Sequence, residues 1–351
     1  MIRKNTFKVA SIAALLALAG TQASAQDIHF TQFEASPLIV NPAFTGGFSG
    51  VARVAGIYRN QWQSVTIPFV TYAASVDAPI IRDLSHDDYL AAGLQFYNDK
   101  AGDGNLANTS VLASVAYHKF LGGTSSDEPK SALSVGLQGG YTSKSIDISR
   151  LYFGDQYYAG QFTGPSNEVL NNKIHYWNVN AGVSFSQRAS ERFAYTVGVG
   201  ANNLTQPQES FSEKPNKDVG LGIRYNAQVG AVLTTGEWKR FSIRPGVLYQ
   251  TQATAYELIA GSEFNYKLGN TEFESVATSV FIGGWYRNGD AAMFTAGVEF
   301  KGFRIGASYD YNVSNLKDAS KGNGGFEISL RYIAPNPIDF ARKLIYPCAR
   351  F

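Results

Sequence analysis

The residue types that do chemistry are present in this chain, but not at spacings that would let them act together. His29, His86, His118 and His175 stand far apart, and none has a partner at metal-ligand spacing, so each reads as a polar strand-end residue. In DKAGDGN (99–105) the acids Asp99 and Asp103 have the wrong spacing for a calcium loop, and no Glu follows at the twelfth position; a Gly-Asp turn accounts for it. Asp87-Asp88 falls in SHDDY, a turn that would leave both carboxylates in water. There is no G-x-S-x-G elbow, phosphate loop or His-Cys pair. The glycines of LQGG and IGGWYR fall within strands, where a bend or close packing explains them. One cysteine, Cys348, excludes an internal disulfide and a cysteine metal site; it reads as a tolerated or buried thiol, with an intermolecular bond as the alternative. The expectation is a protein with no catalytic, cofactor-binding or metal-binding residues, and so no enzyme.

The elements that carry these residues explain the pattern better. Arg3, Lys4 and Lys8, then an apolar stretch from Val9 to Ala19, then Ala23-Ser24-Ala25, make a secretory signal with cleavage between Ala25 and Gln26. Losing the leader removes three positive charges and turns a formal charge of +2 into −1, which gives no electrostatic case for nucleic acid. Charged residues are only 17 %, against roughly 25 % in soluble domains, while Tyr 20, Phe 23, Trp 4 and Gly 35 are abundant. No later run approaches the roughly 18 apolar residues of a membrane helix.

The chain instead alternates with period two. In WNVNAGVSF, Trp177, Val179, Ala181, Val183 and Phe185 share one face, and Asn178, Asn180, Gly182 and Ser184 the other. FRIGASYDY and FEISLRY repeat the pattern, setting Arg304, Asp310, Glu327 and Arg331 on a polar wall opposite aromatics. About fourteen such segments follow one another, near 51–62, 66–77, 88–97, 108–120, 131–142, 175–187, 192–201, 221–234, 240–250, 256–267, 274–286, 290–300, 302–311 and 324–334. The expected fold is all-β: a transmembrane antiparallel β-barrel of about fourteen strands in lipid, with long polar connections at 154–173 and 205–220. A secreted β-sandwich shares the leader and the alternation; low charge and the aromatic face favour closure.

QDIHFTQFEASPLIVNPAFTG (26–46), YRNQW (58–62), YNDKAGDGNLANTSVLASVAYH (97–118), LYFGDQY (151–157), GWYR (284–287) and the closing PCARF (347–351) resemble, in combination, the PorP/SprF family of the type IX secretion system. The chain departs from the family's ending at Ala349, where a proline is expected. The resemblance implies an outer-membrane protein of the secretion and gliding machinery. Its implied partners are periplasmic ring proteins of that system, a large secreted surface adhesin, or both, with outer-membrane lipid around it.

On this reading the chain divides into a signal peptide (1–25), an N-terminal periplasmic or plug segment (26–50), a barrel (51–334) and a C-terminal periplasmic tail (335–351). Both ends of the mature chain are expected in the periplasm. Pro37 and Pro42 oppose regular structure in the first segment, and Phe30, Phe33 and Phe44 need apolar surroundings. These residues, with Asn41 and with Cys348, Arg350 and Phe351 of the tail, are the candidate partner-docking residues. The segment is expected either inside the barrel as a plug or across its mouth. A transporter of hydrophobic small molecules similar to the FadL family is the alternative function, and an open porin a third.

Overall fold

The computed structural model describes residues 28–335 except 65–66, 83, 85–87, 123–130, 159–160, 163, 213–219, 237–239, 269–277 and 316. The signal peptide with Ala25 and Gln26, His86, and the tail residues Cys348, Arg350 and Phe351 lie outside the described residues.

Fourteen strands close into one antiparallel barrel. In chain order they are β1 (Ala52–Gln61), β2 (Phe69–Arg82), β3 (Asp88–Ala101), β4 (Leu106–Leu121), β5 (Ser131–Ser145), β6 (Lys173–Ser190) and β7 (Phe193–Asn202), followed by β8 (Arg224–Thr235), β9 (Phe241–Gln252), β10 (Ala255–Lys267), β11 (Ser279–Arg287), β12 (Ala291–Phe300), β13 (Phe303–Asn312) and β14 (Asn323–Ala334). Each strand pairs with its sequence neighbour, and β1 pairs with β14 from Ala52↔Ala334 to Gln61↔Gly325, so no edge is left open. A two-residue hairpin, 157–158 with 161–162, decorates the β5–β6 connection.

The alternation read from the sequence is the alternation of the wall. Trp177, Ile282, Phe294 and Leu137 are 61–69 % exposed on the outer face, whereas Asn178, Asn180, Ser184 and Gln228 are buried within. An apolar outer face that runs around the whole barrel is far larger than water tolerates and suits lipid. Aromatics pack in pairs near both rims, Tyr141 with Trp177 at 5.6 Å and Phe303 with Tyr332 at 4.4 Å. No helix among the described residues is long and apolar enough to cross a membrane.

One boundary moved for a clear reason. The second segment, expected over 66–77, runs from Phe69 to Arg82, because a register shift between Pro79 and Ile81 accommodates the proline and lets pairing continue. The two longest connections, 146–172 and 203–223, share one mouth, here called the long-loop mouth. β1 starts and β14 ends at the other, the strand-end mouth.

Candidate functional site

The distinctive feature is inside. Residues 28–50 thread the lumen, and their turns are dictated locally: a 3-10 turn at Phe33–Ala35, a single helical turn α1 (Pro37–Val40) opened by Pro37, and a second 3-10 turn at Pro42–Phe44. Asn41 caps the last of these, its side chain accepting from the Ala43 amide at 2.9 Å.

The thread begins at the long-loop mouth. Arg224, the first residue of β8, donates to the Ile28 carbonyl at 3.3 Å, and His29 lies 3.8 Å from Glu257 near the start of β10. Next, Thr31 is gripped by charge. Its amide donates to Glu327 at 2.7 Å, its hydroxyl to Asp310 at 2.7 Å, and Arg59 joins both carboxylates, pairing with Asp310 at 3.0 Å and with Glu327. Glu34 is half-buried beside a second cluster, Arg244, Glu263, Glu299 and Arg304. Loss of water around Glu34, and then the charge of Glu263, push its pKa up to about 7 against the opposing pull of the nearby arginines.

Mid-lumen contacts follow on opposite walls. The Phe33 ring meets Trp285 edge-on at 5.4 Å, within an apolar cluster that includes Val40, Phe44, Leu248, Ile259 and Met293. Ile28, Phe30 and Ile39 pack with Ile57, Ala73, Tyr97 and Leu112. Asn41, fully buried, donates to the carbonyls of Val183 on β6 and Val199 on β7 at 3.2 and 3.1 Å.

That approach is possible only because the wall is glycine there. A Cβ on Gly182 would fall 1.9 Å from the Asn41 side-chain oxygen, and one on Gly136 of β5 would fall 2.4 Å from backbone atoms of Pro42 and Ala43. Gly182 and Gly136 are not among the in-strand glycines read as close-packed; of those, Gly140 fits the reading, since a Cβ there would fall 2.0 Å from the Val111 carbonyl oxygen.

At the strand-end mouth the thread is tied down again. The Gly46 amide donates to Asp77 at 2.6 Å, and Arg53 bonds Asp77 at 2.9 and 2.7 Å and the Phe44 carbonyl at 2.8 Å. His118 bonds Ser134 and the Thr45 carbonyl, each at 2.7 Å, and stacks on Tyr89 at 4.3 Å. Gly46 itself sits at φ +70, the left-handed region that a side chain resists.

Of the candidate docking residues, Phe30, Phe33, Pro37, Asn41, Pro42 and Phe44 are all buried in the lumen. Of the two locations expected for this segment, the structure shows the plug, so these side chains meet the barrel's own wall. Both ends of the mature chain were expected at one side; the described segment begins at the mouth opposite to the start of β1. One further reading is corrected. Asp88 is not a solvated turn residue: it opens β3, is 3 % exposed and accepts from the Tyr117 hydroxyl. His118, read as a polar strand-end residue, lies three residues before the end of β4, fully buried and bonded to the plug. Arg53, Asp77 and Arg59 grip the plug without having been singled out; their one sequence signal was charge on the inward parity of a strand.

The three carboxylates that meet the thread's amides or hydroxyl, Asp77, Asp310 and Glu327, each also pair with an arginine of the wall. No group of three or more His, Cys, Asp or Glu positioned for a metal occurs among the described residues. A barrel with a lipid-suited outside and a lumen filled by its own N-terminal segment defines the class: a plugged outer-membrane-type β-barrel. Residues 22–332 match the family model described as type IX secretion system membrane protein PorP/SprF, and the chain belongs to that family. No curated protein matches. Among solved structures, the chain is similar to the Ralstonia pickettii toluene transporter TbuX, at 10 % identity and a TM-score of 0.48 over 91 % of this chain and 97 % of that one. It is also similar to the CymD monoaromatic hydrocarbon channel, at 9 % identity and 0.46 over 91 % and 96 %.

Proposed function

We propose that this protein is a non-enzymatic outer-membrane component of type IX secretion that helps secrete or anchor surface proteins through protein contacts at its mouths. The observation that carries the reading is the filled lumen in a member of this family: with residues 28–50 inside, the surfaces open to a protein partner are the rims and connections. The partners proposed are periplasmic ring proteins at the strand-end mouth and a large adhesin. Crosslinking of the tagged protein in outer membranes, followed by identification of captured proteins, tests this. Recovery of ring components or an adhesin supports it, and capture of neither, reproducibly, defeats it.

One observation favours a second reading, a FadL-like transporter of hydrophobic small molecules. The luminal wall carries two apolar patches, one around Ile259, Trp285 and Met293 and the other around Ile57, Ala73 and Leu112, each covered by the plug. If uncovered, they would line a route for an apolar solute. Co-purification of such a solute, without protein partners, would put that reading first.

A further inference from the structure

We propose that residues 28–50 are a movable stopper that leaves the lumen through the strand-end mouth, converting the barrel into an aqueous pore for small hydrophilic solutes. The direction follows from how the thread is tethered. It is continuous with β1 at the strand-end mouth, where the Val51 amide donates to the Ala334 carbonyl at 2.8 Å, and its Ile28 end lies at the opposite mouth. Leaving through the long-loop mouth would drag β1 out of the sheet; leaving through the strand-end mouth only swings the segment about its tether.

The wall is built to stand without it. Ser110 bonds Thr142 at 2.8 Å and Asn180 bonds Gln138 at 2.7 Å, wall to wall. Arg53 with Asp77, and Arg59 with Glu327, are likewise pairs between strands. These bonds survive removal of the thread, and water replaces the remainder, so each hydrogen bond exchanged costs little on balance. The apolar contacts of Phe33, Phe30 and Ile39 are the part that water does not replace, and they keep the closed form the ground state. Because the wall charges named here are paired, the open pore discriminates by size more than by sign.

Conductance across planar bilayers tests this, using the full chain with Cys348→Ser as background. Asn41→Ala loosens the thread, and Thr45→Cys with Ser114→Cys locks it, because the two native hydroxyls are 2.8 Å apart. The expected result is frequent opening of Asn41→Ala, a drop of at least about tenfold in open time when the lock is oxidised in that background, and recovery with dithiothreitol. If Asn41→Ala does not fold, the lock is read in the background chain opened by high applied voltage. Silence of every folded chain at all voltages overturns the proposal. So does opening that the oxidised lock leaves unchanged, since fraying of the Ile28 end alone would then be the source.

Discussion

Replacing Gly136 by alanine adds one methyl group to the wall and touches no residue of the thread, so it isolates the fit between the two. The new Cβ would lie 2.4 Å from the Ala43 nitrogen and from the Pro42 carbonyl carbon and oxygen, all backbone atoms that no rotamer change can move. Ordinary contact begins at 3.4 Å, so the thread must retreat by about 1 Å. The Asn41 bonds to Val183 and Val199, already 3.2 and 3.1 Å long, do not survive that displacement. Two hydrogen bonds at about 1 kcal/mol each, plus overpacking of about 1–3 kcal/mol, give a weakening of about 3–5 kcal/mol. The readout is maleimide modification of Ser36→Cys, a near-isosteric reporter at a position only 7 % exposed, in the Cys348→Ser background. Where release limits labelling, about 3 kcal/mol corresponds to a rise of about a hundredfold or more. Gly284→Ala is the control, since its Cβ would meet nothing within 4 Å. A folded Gly136→Ala barrel, recognised by its heat-modifiable mobility, that labels within about twofold of its parent would refute the claim that this glycine admits the thread.

Three other outcomes are expected. Arg59→Ala leaves Glu327 buried without its arginine and Asp310 with only the more distant Arg287, at 3.5 Å, and lowers barrel stability by about 3–5 kcal/mol, measured as an earlier urea midpoint. Phe33→Ala removes the edge-on partner of Trp285, costs about 3–5 kcal/mol and shifts Trp285 emission to the red as water enters, read in a chain whose other tryptophans are phenylalanine. Glu34 has a pKa of about 7 in place against an ordinary 4.5, so the threaded state binds the extra proton between those values. Its hold is therefore greatest at and below pH of about 4.5 and weakens as pH rises through 7; Glu34→Gln flattens that dependence of Trp285 emission.

Much of the barrel was legible because alternation is a local property. Val179, Val183 and Phe185 against Asn178, Asn180 and Ser184 assign a strand and its two faces without any knowledge of its neighbours. The end of β2 was not legible, because Pro79 reads as a stop unless the bulge after it is known. Apolar residues spaced by Pro37 and Pro42 made the segment 26–50 conspicuous, but its place was left open between lumen and mouth. What decides it is contact across the sequence: Thr31 meets Glu327, 296 residues away, and Asn41 meets Val183, 142 away. Polar parity put Glu327 and Asp310 inside, yet nothing in a period of two says which inward charge grips the thread. For the same reason the strand-end reading of His118 did not disclose its burial, since its partners, Ser134 and Thr45, come from another strand and from the thread.

The grip on Thr31 bears on where cargo could go. Arg59 belongs to β1, Asp310 to β13 and Glu327 to β14, so this cluster spans the junction where the sheet's first and last strands meet. Parting that junction sideways would break a ladder of ten paired residues and strip a buried arginine of its carboxylates at the same time. Of all the strand pairs, the one at which a barrel can open without cutting its chain is thus doubly fastened. A lateral gate into the bilayer is the route this architecture resists, and any traffic it supports runs along the barrel axis.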